Sequence, residues 1–295
     1  MTCTLNKEQI GGVKGRGFLH NKGTNAFNAR VVTGNGKITA EQMIKVAEAA
    51  EKYGDGGVCF TSRLCIECTG IEFDNIEDFC KDIEACGLST GGTGPKVRPV
   101  VSCKGTTCQY GRIDTFSLSK KIHERFYKGY REVKLPHKFK IAVGGCPNNC
   151  VKPDLNDLGV IGQYKPIIDT TKCRGCKKCF IEAECPMGAS KVVDGKISFN
   201  MDLCNNCGRC VTKCPFGCYA TGKYGYKVYI GGRWGKKYAH GKLVNHFFET
   251  EDEVLEFIDK TINYFKDNGL PKERFAETID RIGFDKVQEE LGVKN

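Results

Sequence analysis

Cysteine is the residue through which this sequence can do chemistry. The chain of 295 residues holds 19 cysteines, and four of them form two close pairs, Cys103-x4-Cys108 and Cys146-x3-Cys150. Four thiolates that can converge are the ligand set of a [4Fe–4S] cubane. One cysteine alone reads better as a buried, inert thiol. Two close pairs in a chain with further cysteine runs read as a cluster site. The segment Leu135 to Val143 leads straight into Cys146. Its period-two alternation puts Phe139, Ile141 and Val143 on one face of a strand and Lys138 and Lys140 on the other. Either the lysines form a solvated face, or they offer point charges and protons to an anion beside the cluster; the run into Cys146 favours the second.

Two longer runs follow, Cys173-x2-Cys176-x2-Cys179-x5-Cys185-Pro186 and Cys204-x2-Cys207-x2-Cys210-x3-Cys214-Pro215. They are the paired runs of a bacterial two-cluster ferredoxin, in which the fourth cysteine of each run ligates the other cluster. The pattern assigns Cys173, Cys176, Cys179 and Cys214 to one cubane and Cys204, Cys207, Cys210 and Cys185 to a second. The x5 spacing before Cys185 departs from the usual x3. Cys218 is left as a bystander. Lys191 to Ile197, with Asp194-Gly195 at its centre, reads as a hairpin between the runs. Cys65-x2-Cys68 has metal-ligand spacing too, but no second pair remains to complete a site.

Gly144-Gly145-Cys146-Pro147-Asn148-Asn149-Cys150 resembles the siroheme-binding signature of the sulfite and nitrite reductase family, and Leu158 to Gly162 resembles the strand that follows it there. The resemblance implies that Cys150 bridges a cubane to the siroheme iron, with Cys103, Cys108 and Cys146 completing the cubane. It carries Arg98 and Asn148 over as further cofactor-binding residues. In that family the first pair is usually spaced x5, so the x4 here makes a loop one residue tighter. The string Leu135-Pro136-His137-Lys138-Phe139-Lys140 is similar to the stretch that supplies lysines to the bound anion. Arg63, after Thr61-Ser62, resembles the arginine of an anion-contacting Thr-Thr-Arg segment. Arg30 resembles one on the strand before a glycine turn, where a slip of one residue would reverse its face. Lys152 is placed to meet siroheme carboxylates or substrate.

The resemblance is closest to the catalytic C subunit of anaerobic, dissimilatory-type sulfite reductases with a ferredoxin insert. It implies six-electron reduction of sulfite to sulfide, with electrons relayed through the insert from an electron-donor protein or flavoprotein subunit. Nitrite is the rival substrate of the same fold. Two other readings stay open: an iron–sulfur electron-transfer protein with a degenerate siroheme domain, and a relative acting on another tetrapyrrole or small molecule. Larger members contain the unit twice and this chain once, which implies a homodimer or higher homo-oligomer with the site at the interface. Some of Arg63, Lys138 and Lys140 would then come from the other chain.

The elements that must position these residues are α+β in pattern. Residues 1–28 carry no motif, and Arg30-Val31-Val32 opens an extended segment ending at Gly34-Asn35-Gly36. Thr39 and Gln42 form a capping box for a helix with Met43, Val46, Ala47 and Ala50 as its apolar stripe, ended by Gly54. A strand at Val58 to Thr61 precedes a second helix with Ile76, Phe79, Cys80 and Ile83 inward, ended by Gly87. Gly91 to Pro95 reads as a linker, since a phosphate loop needs a preceding strand and a lysine. Val97 to Val101 opens a second unit, with a helix over Ser117 to Tyr127. After the insert, Tyr226 to Gly231 reads as a returning strand. Thr250 and Glu253 cap a helix that turns Val254, Phe257, Ile258, Ile262 and Phe265 inward. Arg274 to Leu291 supplies two helical segments around Gly283, and Phe248 and Trp234 are packing residues. The expected division is a ferredoxin-like half-domain at 1–94, a siroheme and [4Fe–4S] domain at 95–165 and 224–295, and a two-cluster insert at 166–223.

Composition agrees with a cofactor protein. The formal net charge is +10 with every cysteine counted neutral. Each [4Fe–4S] core with four thiolates carries about −2, so three cubanes offset roughly six of those charges and a carboxylate-rich tetrapyrrole more. The basic excess therefore points to cofactors and an anionic substrate, and away from nucleic acid. No apolar run reaches membrane-spanning length and no signal segment is evident, so the expectation is a reduced, cytoplasmic, anaerobic protein without a membrane partner.

Overall fold

The computed structural model describes residues 3–293. Residues 3–28 are more structured than their glycine content suggests. Helix α1 (Lys7–Lys14) starts at Asn6, whose side chain accepts the N–H of Glu8 and Gln9 while Gln9 accepts the Asn6 N–H in return. Strand β1 (Phe18–His20) pairs antiparallel with β2 (Ala26–Val32), so the extended segment begins ahead of Arg30. Helix α2 (Ala40–Tyr53) carries the predicted box of Thr39 and Gln42. It buries Val46, Ala49 and Ala50, whereas Ala47 is exposed: Ala49, three residues after Val46, shares its face.

Strands β3 (Val58–Phe60) and β4 (Ile66–Glu72) pair antiparallel, and β4 also pairs with β2. The sequence reading lacked β4. Helix α3 (Ile76–Ala85) buries Ile76, Phe79, Cys80 and Ile83 as its period requires. Strand β5 (Ser89–Thr90) closes the unit against β2, giving the order β1-β2-β4-β3 with β5 at the far end of β2. Phe18, Phe27, Val31, Val46, Ile66, Ile71, Phe79 and Ile83 meet in its core.

Gly91 to Thr93 is not a loose linker. All three residues are buried: the Tyr127 hydroxyl accepts the Gly92 N–H at 3.0 Å, and the Thr93 hydroxyl donates to the Lys14 carbonyl. Gly92, at φ +74, lets Pro99 and the Arg30 stem approach where a Cβ would stand 2.8 and 3.2 Å from them. Glycine is required here for contact between the two units.

The second unit runs β6 (Val101–Ser102), α4 (Thr115–Ile122), β7 (Ile141–Gly144) and β8 (Leu158–Ile167). Asp114 caps α4, which continues as a π-helical turn over His123–Lys128. Next come α5 (Phe180–Glu184), β9 (Ser190–Val193), β10 (Lys196–Phe199), β11 (Thr221–Ile230), β12 (Lys242–Leu243), α6 (Glu251–Asn268), α7 (Phe275–Ile282) and α8 (Phe284–Glu290). The sheet order is β12-β11-β8-β7-β6, with β6, β7 and β8 parallel and β11 and β12 antiparallel. One face buries Phe139, Ile141, Val143, Leu158, Val160, Tyr226, Val228 and Ile230 against the helices, which contribute Leu118, Val254, Ile258, Phe265 and Phe275. The predicted alternation therefore holds, although regular strand starts only at Ile141. Thr250 accepts the Glu253 N–H and α6 turns all five predicted apolar residues inward.

Strands β8 and β11 form one long hairpin, from Leu158 opposite Ile230 to Ile167 opposite Thr221. The cysteine-rich insert sits at its tip, so the ends of the expected 166–223 segment belong to the sheet. Within it β9 and β10 pair through the predicted turn, with Asp194 at φ 49 and Gly195 at φ 71. Ile181, Ile197, Val211 and Tyr219 make a separate small core. Phe248 packs at 3% exposure, but Trp234 is 62% exposed. It lies in a glycine- and lysine-rich loop closed by the Arg233–Ala239 bridge, away from the core. Among the described residues no helix is long and apolar enough to cross a membrane.

Candidate functional site

Parallel pairing sets Ser102 opposite Val143, so Cys103 and Cys146 leave the sheet at the same, C-terminal edge. The Gly145 N–H donates to Cys103 Sγ at 3.1 Å. A 3-10 turn over Gly105–Thr107 returns the chain to Cys108, whose N–H donates to the Gly105 carbonyl at 3.2 Å; that turn takes up the one-residue-shorter loop. Gly105 and Gly145 meet backbone to backbone: a Cβ on Gly145 would stand 2.7 Å from Gly105 Cα and 3.4 Å from Cys103 Sγ. Burial pushes the Cys146 thiol up, the Asn148 N–H pulls it back, and the sulfurs of Cys103, Cys150 and Cys108 push it up again. Four sulfurs in one another's field, on a cradle with room only for glycine, suit a cubane, whose iron relieves their repulsion. Among the described residues no three His, Cys, Asp or Glu side chains are set around a single ion; an eight-atom cube needs a wider spacing. Asn148, Cys150 and Lys152 are exposed, and Asn149 and Lys152 turn the loop through φ 57 and φ 48.

The predicted cations gather at the opposite edge of the sheet, about 16 Å from Gly145 at ~3.3 Å per residue along β7. Their hub is Asp157, whose side chain is fully buried and accepts Arg274 Nη2 at 3.0 and 2.9 Å and the Lys140 N–H at 2.9 Å. Arg63 donates to the carbonyls of Pro99 and Ile141 and to Asn156 Oδ1. Arg30 binds Glu67 and the Gly92 carbonyl, which Arg98 also reaches. Arg30 thus faces the second unit. Burial pulls Lys140 down to about 8, with Arg63 and Arg274 adding to the fall. Burial likewise pulls Arg63 and Arg98 down to about 10, and lowers Lys138 with help from Arg274 and Arg98. Arg30, Arg63, Arg98, Lys138, Lys140 and Arg274 thus share two carboxylates, Glu67 and Asp157. Such an excess of half-buried positive charge attracts anions. The Nε atoms of Arg98 and Arg274 are buried without partners.

One chain therefore brings Arg30, Arg63, Arg98, Lys138 and Lys140 together, and keeps them apart from Cys103, Cys108, Cys146 and Cys150. Sequence reading missed Arg274, Asp157 and Asn156; 117 residues separate the first two, and no local pattern announces such a pair. Cys65 and Cys68 are both buried, Cys68 in the core of the first unit, and burial pushes the Cys68 thiol up to about 12. They belong to the entry and body of β4 and carry packing.

In the insert, Cys185, Cys204, Cys207 and Cys210 line one pocket. Burial pushes Cys210 up to about 12, reinforced by the sulfurs of Cys207, Cys204 and Cys185. Cys173 accepts the Ile197 N–H at 3.3 Å, is held below its ordinary value by it, and feels Cys214. Cys218 is buried against Cys214 and Cys173, closer to the predicted ligands than a bystander.

Comparison with known proteins places this geometry. The nitrite and sulphite reductase 4Fe–4S domain matches residues 93–295, and the nitrite/sulfite reductase ferredoxin-like half domain matches residues 20–86. The chain is 34% identical over 255 residues to the coenzyme F420-dependent sulfite reductase of Methanocaldococcus jannaschii, covering 85% of this chain but only 40% of that protein. It is 27% identical over 302 residues to the alpha subunit of the dissimilatory-type sulfite reductase of Allochromatium vinosum, covering 95% and 72%. The crystal structure of dissimilatory sulfite reductase I superposes with a TM-score of 0.74 at 25% identity, over 92% of this chain and 70% of that one.

Proposed function

The chain belongs to the nitrite and sulphite reductase family, and from that premise we propose that it reduces sulfite to sulfide at a siroheme coupled to the cubane of Cys103, Cys108, Cys146 and Cys150. One observation carries the substrate class: six cations around two carboxylates, at one end of the strand that delivers Cys146 at the other. Siroheme bound there supplies an iron for the substrate's sulfur and, with the cubane, the site's electrons. Cys150, the exposed thiol of the four, would hold the cubane on the side open to the siroheme. Lys138, Lys140 and Arg98 neutralise the anion's oxygens and the tetrapyrrole carboxylates, with Lys152 and Asn148 on the cofactor side. Lys140, pulled down to about 8, gives up and regains a proton near neutral pH. Two protons and two electrons remove each oxygen as water.

Arg63 and Arg30 hold the cage by binding its carbonyls and Glu67, and come to the anion by exchanging those partners. The separation of cage and cysteines along β7 supports a two-chain site, in which each copy sets its cage against the other's cubane. The insert, read as a two-cluster ferredoxin with the crossed ligand sets, passes electrons from an external donor to that cubane.

An anaerobic visible spectrum with iron and tetrapyrrole quantitation tests this. About twelve irons and one siroheme per chain, with haem bands that sulfite perturbs, is the expected result. Bands that answer nitrite alone transfer the activity to nitrite. About eight irons without tetrapyrrole reduce the protein to an electron carrier, and a monomeric, fully active protein overturns the shared site.

A further inference from the structure

The side of the sheet away from the main core holds a cavity of about 140 Å³ between the two kinds of cysteine loop. Pro147 and Asn149 of the Cys146–Cys150 loop form one wall, Asn205 beside Cys204 forms the other, and Gln163 and Lys227 lie beneath. Strand alternation puts them there: Tyr226, Val228 and Ile230 enter the main core, so Lys227, opposite Ile161, faces the loops. Backbone contact fixes the insert's position, since the Tyr164 N–H donates to the Asn206 carbonyl at 2.8 Å.

This cavity is charged and unfinished. Among the described residues the Lys227 ammonium makes no ion pair and no hydrogen bond. Its two ionisable neighbours are Cys204 and Lys165. The one carboxylate in the wall, Asp154, is already taken by Asn149 Nδ2 at 2.7 Å and His240 Nδ1 at 2.7 Å. Asn149 Oδ1 and Gln163 Oε1 are buried there without partners. Half-burying an ammonium without a counter-charge is costly. A cluster held by Cys204, at about −2 when oxidised and more negative when reduced, supplies that charge.

We propose that Lys227 is a positioning residue for the electron: its ammonium raises the reduction potential of the insert cluster held by Cys204, making that cluster the one from which electrons leave toward the Cys146–Cys150 cubane. The step moves one electron, oxidising the first cluster and reducing the second, with no bond made or broken and the electron supplied by the external donor. The inference rests on the reading of both loops as cluster sites.

The test is an EPR-monitored potentiometric titration of the loaded protein. Lys227→Met and Lys227→Gln are expected to make one insert cluster about tenfold harder to reduce, 59 mV for a one-electron couple. The second insert cluster stays in place, Lys227→Arg keeps the wild-type potential, and Lys223→Gln, which removes an ammonium elsewhere on β11 that pairs with Glu249, changes nothing. Three clusters with both insert potentials unmoved in the Met and Gln variants, or moved equally, overturn this inference alone. A wild-type insert without clusters removes it together with the proposed electron path.

Discussion

Replacing Asp157 by Asn should show what the cage is built on. The carboxylate is fully buried, the Arg274 side chain facing it is 6% exposed, and the pair is joined by two hydrogen bonds of 3.0 and 2.9 Å. Removing one partner of such a pair leaves a buried charge without compensation, at about 3–5 kcal/mol. The Asn amide also turns an N–H toward either Arg274 or the Lys140 N–H, both donors. Against a total stability of about 5–15 kcal/mol, Asp157→Asn should lower the urea midpoint sharply, and Arg274→Met should cost a similar amount. The double variant Asp157→Asn/Arg274→Met should cost about 2 kcal/mol less than the two single losses added, because nothing charged is left stranded. Sulfate should stabilise Asp157→Asn more than wild type, since the remaining cations then lack an anion. Anaerobic urea unfolding of the four proteins, with and without sulfate, measures all of this. Single-variant losses below about 1 kcal/mol, or strictly additive ones, would refute the claim that Asp157 organises the cage.

Three further outcomes follow from the geometry. Sulfite or sulfate affinity should weaken as pH rises through about 8, where Lys140 loses its charge, and Lys140→Met should flatten that profile. For stability the sign is opposite: Lys140 is protonated in the unfolded chain up to about 10.4 but released near 8 in the fold, so its contribution makes the apo protein more stable as pH rises between those values. Cys185→Ser should cost about four irons and the EPR signal shared with Cys204→Ser, sparing the cluster lost in Cys173→Ser; loss of the Cys173 signal instead would undo the crossed assignment. Gly145→Ala, whose Cβ would press Gly105 Cα at 2.7 Å, should destabilise by about 1–3 kcal/mol and release the first cubane, read as iron content and melting temperature.

What could be read without coordinates was what local spacing encodes. The cysteine runs, the boxes at Thr39 and Thr250, and the alternation of Phe139, Ile141 and Val143 each depend on neighbours within a few residues. Strand β4 carried the same kind of signal in Ile66, Cys68 and Ile71, but a register irregularity between Phe27 and Ala29 of its partner breaks the period. Gly91 to Thr93 looked like a linker because its partners Arg30, Tyr127 and Lys14 are far away in sequence. Trp234 looked like core because tryptophan usually is, whereas the flanking Gly231, Gly232, Gly235, Lys236 and Lys237 already spelled a loop. The Asp157–Arg274 pair follows from tertiary packing alone.

The hairpin of β8 and β11 has a consequence for how the protein can be taken apart. Ile167 and Thr221 stand opposite each other, so the whole cysteine-rich module enters and leaves the sheet through one pair of neighbouring residues. A two-residue turn could replace it without lengthening or tilting either strand. The module also has its own small core, so it can open locally while the sheet, the cage and the first four cysteines stay folded. Damage to the module would then be a local event, and a trimmed chain would be the direct way to ask what the rest of the protein binds without it.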